Sequence, residues 1–343
     1  MDLADLWFVA IAVLWTGYFF LEGFDFGVGM LLPVLGRTDE ERGALIQTIG
    51  GVWDGNEVWL IVAAGATFAA FPLWYATMFS SLYLLLLAVL VALIVRGVAL
   101  EFRGKGDSPR WRANWDRLLV AGSLVPAVLW GAVFGNIARG LPLDAEHVLR
   151  GGLGDLLNWY ALVGGLVTVT LFLLHGALFL SLRTTGELQA RARRAASRIG
   201  PLPVLAIIGF VAAIQAQRGT AATAVTGGLA VVALLGAWAM TRRWAGLGFV
   251  LTGTAIVAAT ATLFLASYPT VLPSTIDPAY DITVHNASST DYTLVVMTWA
   301  AAIFLPIVLA YQAWTYWIFA KRIGAVQSPA AGGTASEEAD ASR

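Results

Sequence analysis

Leu21-Glu22-Gly23-Phe24-Asp25-Phe26-Gly27-Val28-Gly29-Met30, followed by Trp53-Asp54-Gly55-Asn56-Glu57-Val58-Trp59-Leu60, puts four carboxylates inside two apolar stretches of membrane length. Glu22 with Asp25 and Asp54 with Glu57 share one spacing, three residues. Residues three apart lie on one face of an α-helix, so each pair points in a single direction, into a protein interior or a wet cavity. An acid held in hydrocarbon is costly and marks a functional position by default.

The rest of the chain is built for lipid. Hydrophobic residues make up 58% of it and charged residues 13%, against roughly 25% charged in soluble domains. No basic segment or small-residue cleavage site precedes the apolar run near Trp7, so that run reads as a retained helix in a chain starting near Met1. Apolar stretches of about 20 residues occur at 7–32, 53–72, 77–97, 118–138, 159–182, 201–217, 221–240, 244–268 and 292–320. The expected fold is an all-α integral membrane protein of nine transmembrane helices. Residues 1–138 form a four-helix bundle with the acids, 139–158 an outer loop, 159–268 a second four-helix bundle, 269–291 another outer loop, and 292–323 one extra helix. The tail over 324–343, rich in Ala, Gly, Ser and Glu, has no apolar face to bury and is expected to be disordered in the cytoplasm.

Positive charge sets the orientation. With the N-terminus outside and the C-terminus cytoplasmic, seventeen Lys and Arg residues fall in inner connections, whereas Arg139, Arg150 and Arg218 fall outside and Arg96 lies at the inner end of the third span. Trp7, Trp74 and Trp159 then sit at outer ends, and Trp53, Trp111, Trp115, Trp244, Trp314 and Trp317 at inner ones, as aromatic belts. At 1.5 Å per residue, Glu22 lies about 22 Å and Asp25 about 27 Å below Trp7. Asp54 and Glu57 occupy the first turns of a span that starts inside. All four acids thus belong to the cytoplasmic half of the membrane, where they resemble the mouth of a proton path. The plainer alternative for Asp54 and Glu57 is an interfacial helix N-terminus, where negative charge is favoured.

Other polar residues carry paired readings. Gly23 with Gly27, Gly51 with Gly55 and Gly131 with Gly135 form G-x-x-x-G spacings that let helices approach. Pro126 and Pro306 read as kinks. His175, deep in the fifth span, is a proton relay, a haem ligand or a helix–helix hydrogen bond. It is the only intramembrane His of three, so no bis-His haem site exists within the chain. Arg96 reads most simply as snorkelling to the inner surface, its alternative being an ion pair with a deep carboxylate. Asn136 is placed to hydrogen-bond between helices. With no Cys, the chain offers no iron–sulfur ligand, thiolate haem ligand, c-type attachment or disulfide. Gly27-x-Gly29 has no strand before it, and nothing points to nucleotide or nucleic acid.

Together with the opening motifs, Phe134-Gly135-Asn136, Leu272-Pro273-Ser274-Thr275, Asn286-Ala287-Ser288-Ser289, Met297-Thr298-Trp299 and Tyr311-Gln312-Ala313-Trp314-Thr315-Tyr316-Trp317 make the chain resemble subunit II of cytochrome bd quinol oxidases, from the first span to Arg322. The resemblance implies a terminal oxidase of the bacterial cytoplasmic membrane that oxidises quinol and reduces O2 to water. It implies that a partner, subunit I, carries two haems b, one haem d and the quinol-oxidising loop, and that this chain holds no catalytic residue, haem ligand or metal. Small accessory subunits and a structural quinone or lipid are left open. Within the family, acids of the first two helices help bring protons from the cytoplasm. Asp25 and Asp54 match acids of that motif, Glu22 stands where an Asp also occurs, and Glu57 stands where some relatives carry Gln. From spacing alone, a proton-coupled secondary transporter is the alternative function, although no inverted repeat is visible. A pure scaffold would leave the deep acids unexplained.

Overall fold

The protein is described by a computed structural model covering residues 2–324. Apart from Gly324, the tail expected to be disordered lies outside the described residues, as does Met1. Helix α1 (Leu3–Leu35) begins with a reciprocal cap, in which the Asp5 amide donates to Asp2 and the Asp2 amide to Asp5. That satisfies two of the amides a helix start leaves unpaired. The helix runs on through Pro33 for 33 residues. Then come α2 (Asp39–Gln47), α3 (Trp53–Ala70), α4 (Pro72–Ser81), α5 (Tyr83–Phe102), α6 (Pro109–Arg139), α7 (Leu153–Leu156), α8 (Trp159–Arg183) and α9 (Gly186–Ile199). They are followed by α10 (Pro201–Arg218), α11 (Ala221–Met240), α12 (Ala245–Ser267), strands β1 (Thr270–Leu272) and β2 (Ile282–Thr283), α13 (Val284–Ala287) and α14 (Asp291–Ile318).

Eight helical segments are long and apolar enough to cross a membrane: α1, α5, α6, α8, the α9–α10 run, α11, α12 and α14. The second expected span is α3, whose 18 residues carry Asp54, Asn56 and Glu57 and are correspondingly less apolar. The third expected span, 77–97, is displaced. Pro72 opens a separate helix, and the backbone leaves helical geometry at Leu82 (φ −104°, ψ 21°), so the long helix starts only at Tyr83. A one-residue break leaves no trace in a hydropathy profile. Pro126 and Pro306 lie inside α6 and α14, which continue past them.

Helix α1 is the axis of the assembly, touching α3, α6, α8, α12 and α14. Helix α8, counted with the second bundle, packs against both α1 and α6 of the first. Apolar helices gain little from burial against one another in lipid, so close backbone approach has to hold them. A Cβ on Gly27 would lie 2.1 Å from the Phe172 carbonyl oxygen and 2.8 Å from the Gly176 Cα, and Gly131 and Gly164 meet in the same way. We expect Gly27→Ala to force α1 off α8 and to cut the amount of assembled protein in the membrane, read by native gel electrophoresis. Wild-type amounts would contradict that packing role. The second G-x-x-x-G does not work this way: Gly51 precedes α3 and meets the Phe319 ring, and nothing lies within 4 Å of a Cβ on Gly55.

Both ends are tied by polar contacts. At one, the two long connections clasp each other, with the Leu141 amide donating to the Pro273 carbonyl at 2.9 Å and the Ser274 hydroxyl to the Leu143 carbonyl at 2.7 Å. At the other, Arg103 reaches Asp116 (2.5 Å) and Asp39 (2.6 Å), Arg112 reaches Asp39 (2.5 Å), Arg42 reaches Asp116 (3.1 Å), and Arg191 pairs with Glu41. Partial burial works to raise the Asp39 pKa, yet the guanidiniums of Arg112 and Arg103 hold it below the usual carboxylate value. The aromatic belt is thinner than expected. Trp7 and Trp74 are buried, the Trp7 indole donating to Thr298 at 3.1 Å, while Trp159, Trp244, Trp314 and Trp317 are exposed.

Candidate functional site

Three helices bring the acids together. Glu22 and Asp25 project from α1, Asn56 and Glu57 from the first turn of α3, and Arg96 from the last third of α5. Glu22, Asp25, Asn56 and Arg96 are all 0% exposed. Arg96 therefore does not snorkel: its Nη1 lies 2.9 Å from Glu22 and 3.7 Å from Glu57, and its Nη2 lies 3.9 Å from Asp25. Its guanidinium also covers the Phe26 ring, 4.9 Å from the centroid. The reason is geometric. Packed against α6, α5 turns Arg96 toward three carboxylates, and a charge already solvated by counter-charges has no need to seek the surface.

Asn56 is the hub that sequence reading missed. Its side-chain amide donates to Asp25 at 2.7 Å, and its carbonyl oxygen accepts from the Tyr316 hydroxyl at 2.7 Å and the Gln312 amide at 3.4 Å. The Trp59 indole donates to Gln312 at 2.7 Å. Helix α14, whose only buried residue is Leu294, thus contributes a polar pair to the site. A signal existed, because Gln312 and Tyr316 are four apart in an apolar helix and so share a face.

Hydrogen bonding inside the cluster is incomplete. Both Glu22 oxygens, Asp25 Oδ1, Glu57 Oε2 and all three Arg96 nitrogens are buried without a hydrogen-bond partner among the described residues. Glu22 and Arg96 meet as charges, without hydrogen-bond alignment. Buried polar atoms in proteins are usually hydrogen-bonded, so among the described residues this cluster is held by charge more than by a completed hydrogen-bond network.

The remaining candidates lie elsewhere. Asp54 is exposed on α3 and outside the cluster, so the two acids of the second pair do not share one environment. Asn136 fastens α6 to the α7 segment, donating to the Leu156 carbonyl at 3.0 Å and accepting from Asn158 at 2.8 Å. His175 joins α8 to α12 and α1: Nδ1 meets the Thr252 hydroxyl at 2.6 Å, Nε2 meets the Phe20 carbonyl at 3.2 Å, and the ring stacks on Phe249 at 4.3 Å. A neutral imidazole protonated at Nε2 satisfies both contacts. With both nitrogens engaged and its face covered, His175 does not fit a haem-ligand role.

The family model described as cytochrome bd terminal oxidase subunit II matches residues 3–319. The chain belongs to that family. It is 44% identical to the cytochrome bd ubiquinol oxidase subunit 2 of Bacillus subtilis over 94% of this chain and 97% of that one. It is 36% identical to the cytochrome bd-I ubiquinol oxidase subunit 2 of Escherichia coli K12 over 93% of this chain and 94% of that one. A chain of the solved bd oxidase from Geobacillus thermodenitrificans shares the fold, with a TM-score of 0.76 at 16% identity, over 93% of this chain and 99% of that one. As a bd oxidase subunit II, the protein is a multi-pass component of a quinol:oxygen oxidoreductase in the bacterial cell membrane, and this membership implies a partner catalytic subunit. A self-sufficient transporter finds no support among these relatives.

Proposed function

We propose that this bd oxidase subunit carries protons from the cytoplasm toward the oxygen-reducing site of subunit I. Asp54 and Glu57 form the mouth, Asp25 and Glu22 the buried segment, and Arg96 and Asn56 hold those acids in place. The observation that carries this reading is the buried cluster itself, three carboxylates around one guanidinium with seven side-chain atoms lacking hydrogen-bond partners among the described residues. Full ionisation would leave two negative charges uncompensated in a poorly polarisable interior, which is costly. A cluster with more carboxylates than guanidinium charge has room for a proton among its acids, which a proton path requires. Protons drawn from inside for O2 reduction, with quinol protons released outside, would charge the membrane without a pump.

The proposal includes nine spans, with α3 as the ninth, N-terminus outside and C-terminus cytoplasmic. At 1.5 Å per residue α3 is about 27 Å long, close to a hydrocarbon core of about 30 Å, and the excess of basic residues on one set of connections favours this orientation. The two four-helix bundles with α14 apart are part of the same reading. Haems b and d and the quinol site are assigned to subunit I. The engaged state of His175 supports that assignment, as it leaves this chain without an available intramembrane imidazole.

The test is to purify the tagged subunit from its native membranes as the wild type and as Asp54→Asn. Haem b and d bands with one larger copurifying subunit are expected in both, with turnover of the variant reduced at least tenfold. A colourless, partner-free protein from an intact preparation would sink the oxidase assignment. Unchanged turnover in assembled Asp54→Asn enzyme would remove Asp54 from the path alone.

A further inference from the structure

Two open grooves on the outside of the molecule flank α6 and share one lining residue, Ala121. The first, about 470 Å³, lies between the end of α1 at Leu32 and Pro33 and the start of α6, and has Arg42, Asp116 and Arg117 at its polar end. The second, about 440 Å³, lies between α5 and α6 along Val91, Val95 and Val125 and is apolar.

From Ala113 to Val125 the two grooves together follow α6 for about 18 Å at 1.5 Å per residue, roughly the half-thickness of a 30 Å hydrocarbon core. The charged end therefore lies at headgroup level when the apolar part spans one leaflet. Charge at that level is net positive. Both Asp116 oxygens are already engaged by Arg42 and Arg103. Arg42 uses Nε on the Gly36 carbonyl and Nη1 on Asp116, and Arg117 uses Nη1 on Asn114, so each guanidinium keeps donors free of partners among the described residues. Guanidinium groups favour phosphate oxygens through paired N–H donors.

We propose that the two grooves together form a binding site for one anionic phospholipid, its phosphate between Arg42 and Arg117 and an acyl chain laid along α6 across the small Ala121. A transmembrane helix of another subunit could fill the apolar part, but an apolar helix brings no anion to the two guanidiniums.

The test uses the assembled oxidase in nanodiscs containing equal phosphatidylglycerol and phosphatidylcholine, followed by native mass spectrometry of the retained lipid. One phosphatidylglycerol per complex is expected. Arg117→Gln should lower its retention about fivefold, the effect of one basic residue near a charged headgroup, and Ala121→Phe should abolish it by filling the seat of the acyl chain. A benzophenone side chain at position 124, an exposed lining position beside the seat, should crosslink to lipid. Equal retention of the two lipids, indifference to both substitutions, or crosslinking into a protein subunit would each overturn the proposal.

Discussion

Arg96→Leu is expected to leave almost no assembled oxidase in the membrane. The substitution strands Glu22 and Asp25, both fully buried, without the one cation that lies within 4 Å of them among the described residues. Removing one partner of a buried ion pair costs about 3–5 kcal/mol, a large part of the roughly 5–15 kcal/mol that holds a typical native fold together. A native gel and the haem d absorbance of solubilised membranes would measure the loss. Glu22→Met combined with Arg96→Met should recover part of the assembled complex, because a buried ion pair replaced as a whole by apolar groups is often tolerated. The recovered complex should still turn over slowly. Wild-type levels of assembled Arg96→Leu enzyme would refute a charge-balancing role for Arg96.

Asp25→Asn should act differently, lowering turnover by about a hundredfold, the smaller end of what a positioned proton-transfer group contributes, while haem content stays at the wild-type level. Asn is nearly the same shape and can still accept the 2.7 Å hydrogen bond from Asn56, so packing is preserved and only the titratable group is lost. Oxygen uptake by purified enzyme with excess quinol measures the effect. If assembled Asp25→Asn enzyme turns over normally, protons reach the oxygen site by another way. The pair of substitutions tests two proposed properties of one cluster separately: that Arg96 holds it together, and that Asp25 carries protons within it.

Much of this site was legible before any coordinates. Glu22 and Asp25 announce themselves because a carboxylate in a long apolar run has a cost that sequence alone reveals. Asn56, Gln312 and Tyr316 do not, since neutral polar side chains occur in membrane helices for many packing reasons. Their roles depend on α14 lying beside α3, a contact between residues about 256 positions apart. Arg96 was visible as a charge near a helix end but not as a counter-ion. Snorkelling and pairing have the same local sequence, and only the rotation of α5, set by its packing on α6, distinguishes them. Asp54 shows the reverse. Its spacing from Glu57 matches that of the first pair, yet α3 presents Asp54 outward and Asn56 inward.

By itself, the sequence determined that this chain lives in a bilayer, where its long helices lie, and which acids must be accounted for, because hydropathy and buried charge are properties of short stretches of chain. Which acids meet, which polar groups receive them, and which groups take up the two nitrogens of His175 were decided by the tertiary structure alone. Those outcomes rest on how each helix is turned and how closely glycines such as Gly27 and Gly176 let two backbones approach, quantities that depend on pairs of distant segments.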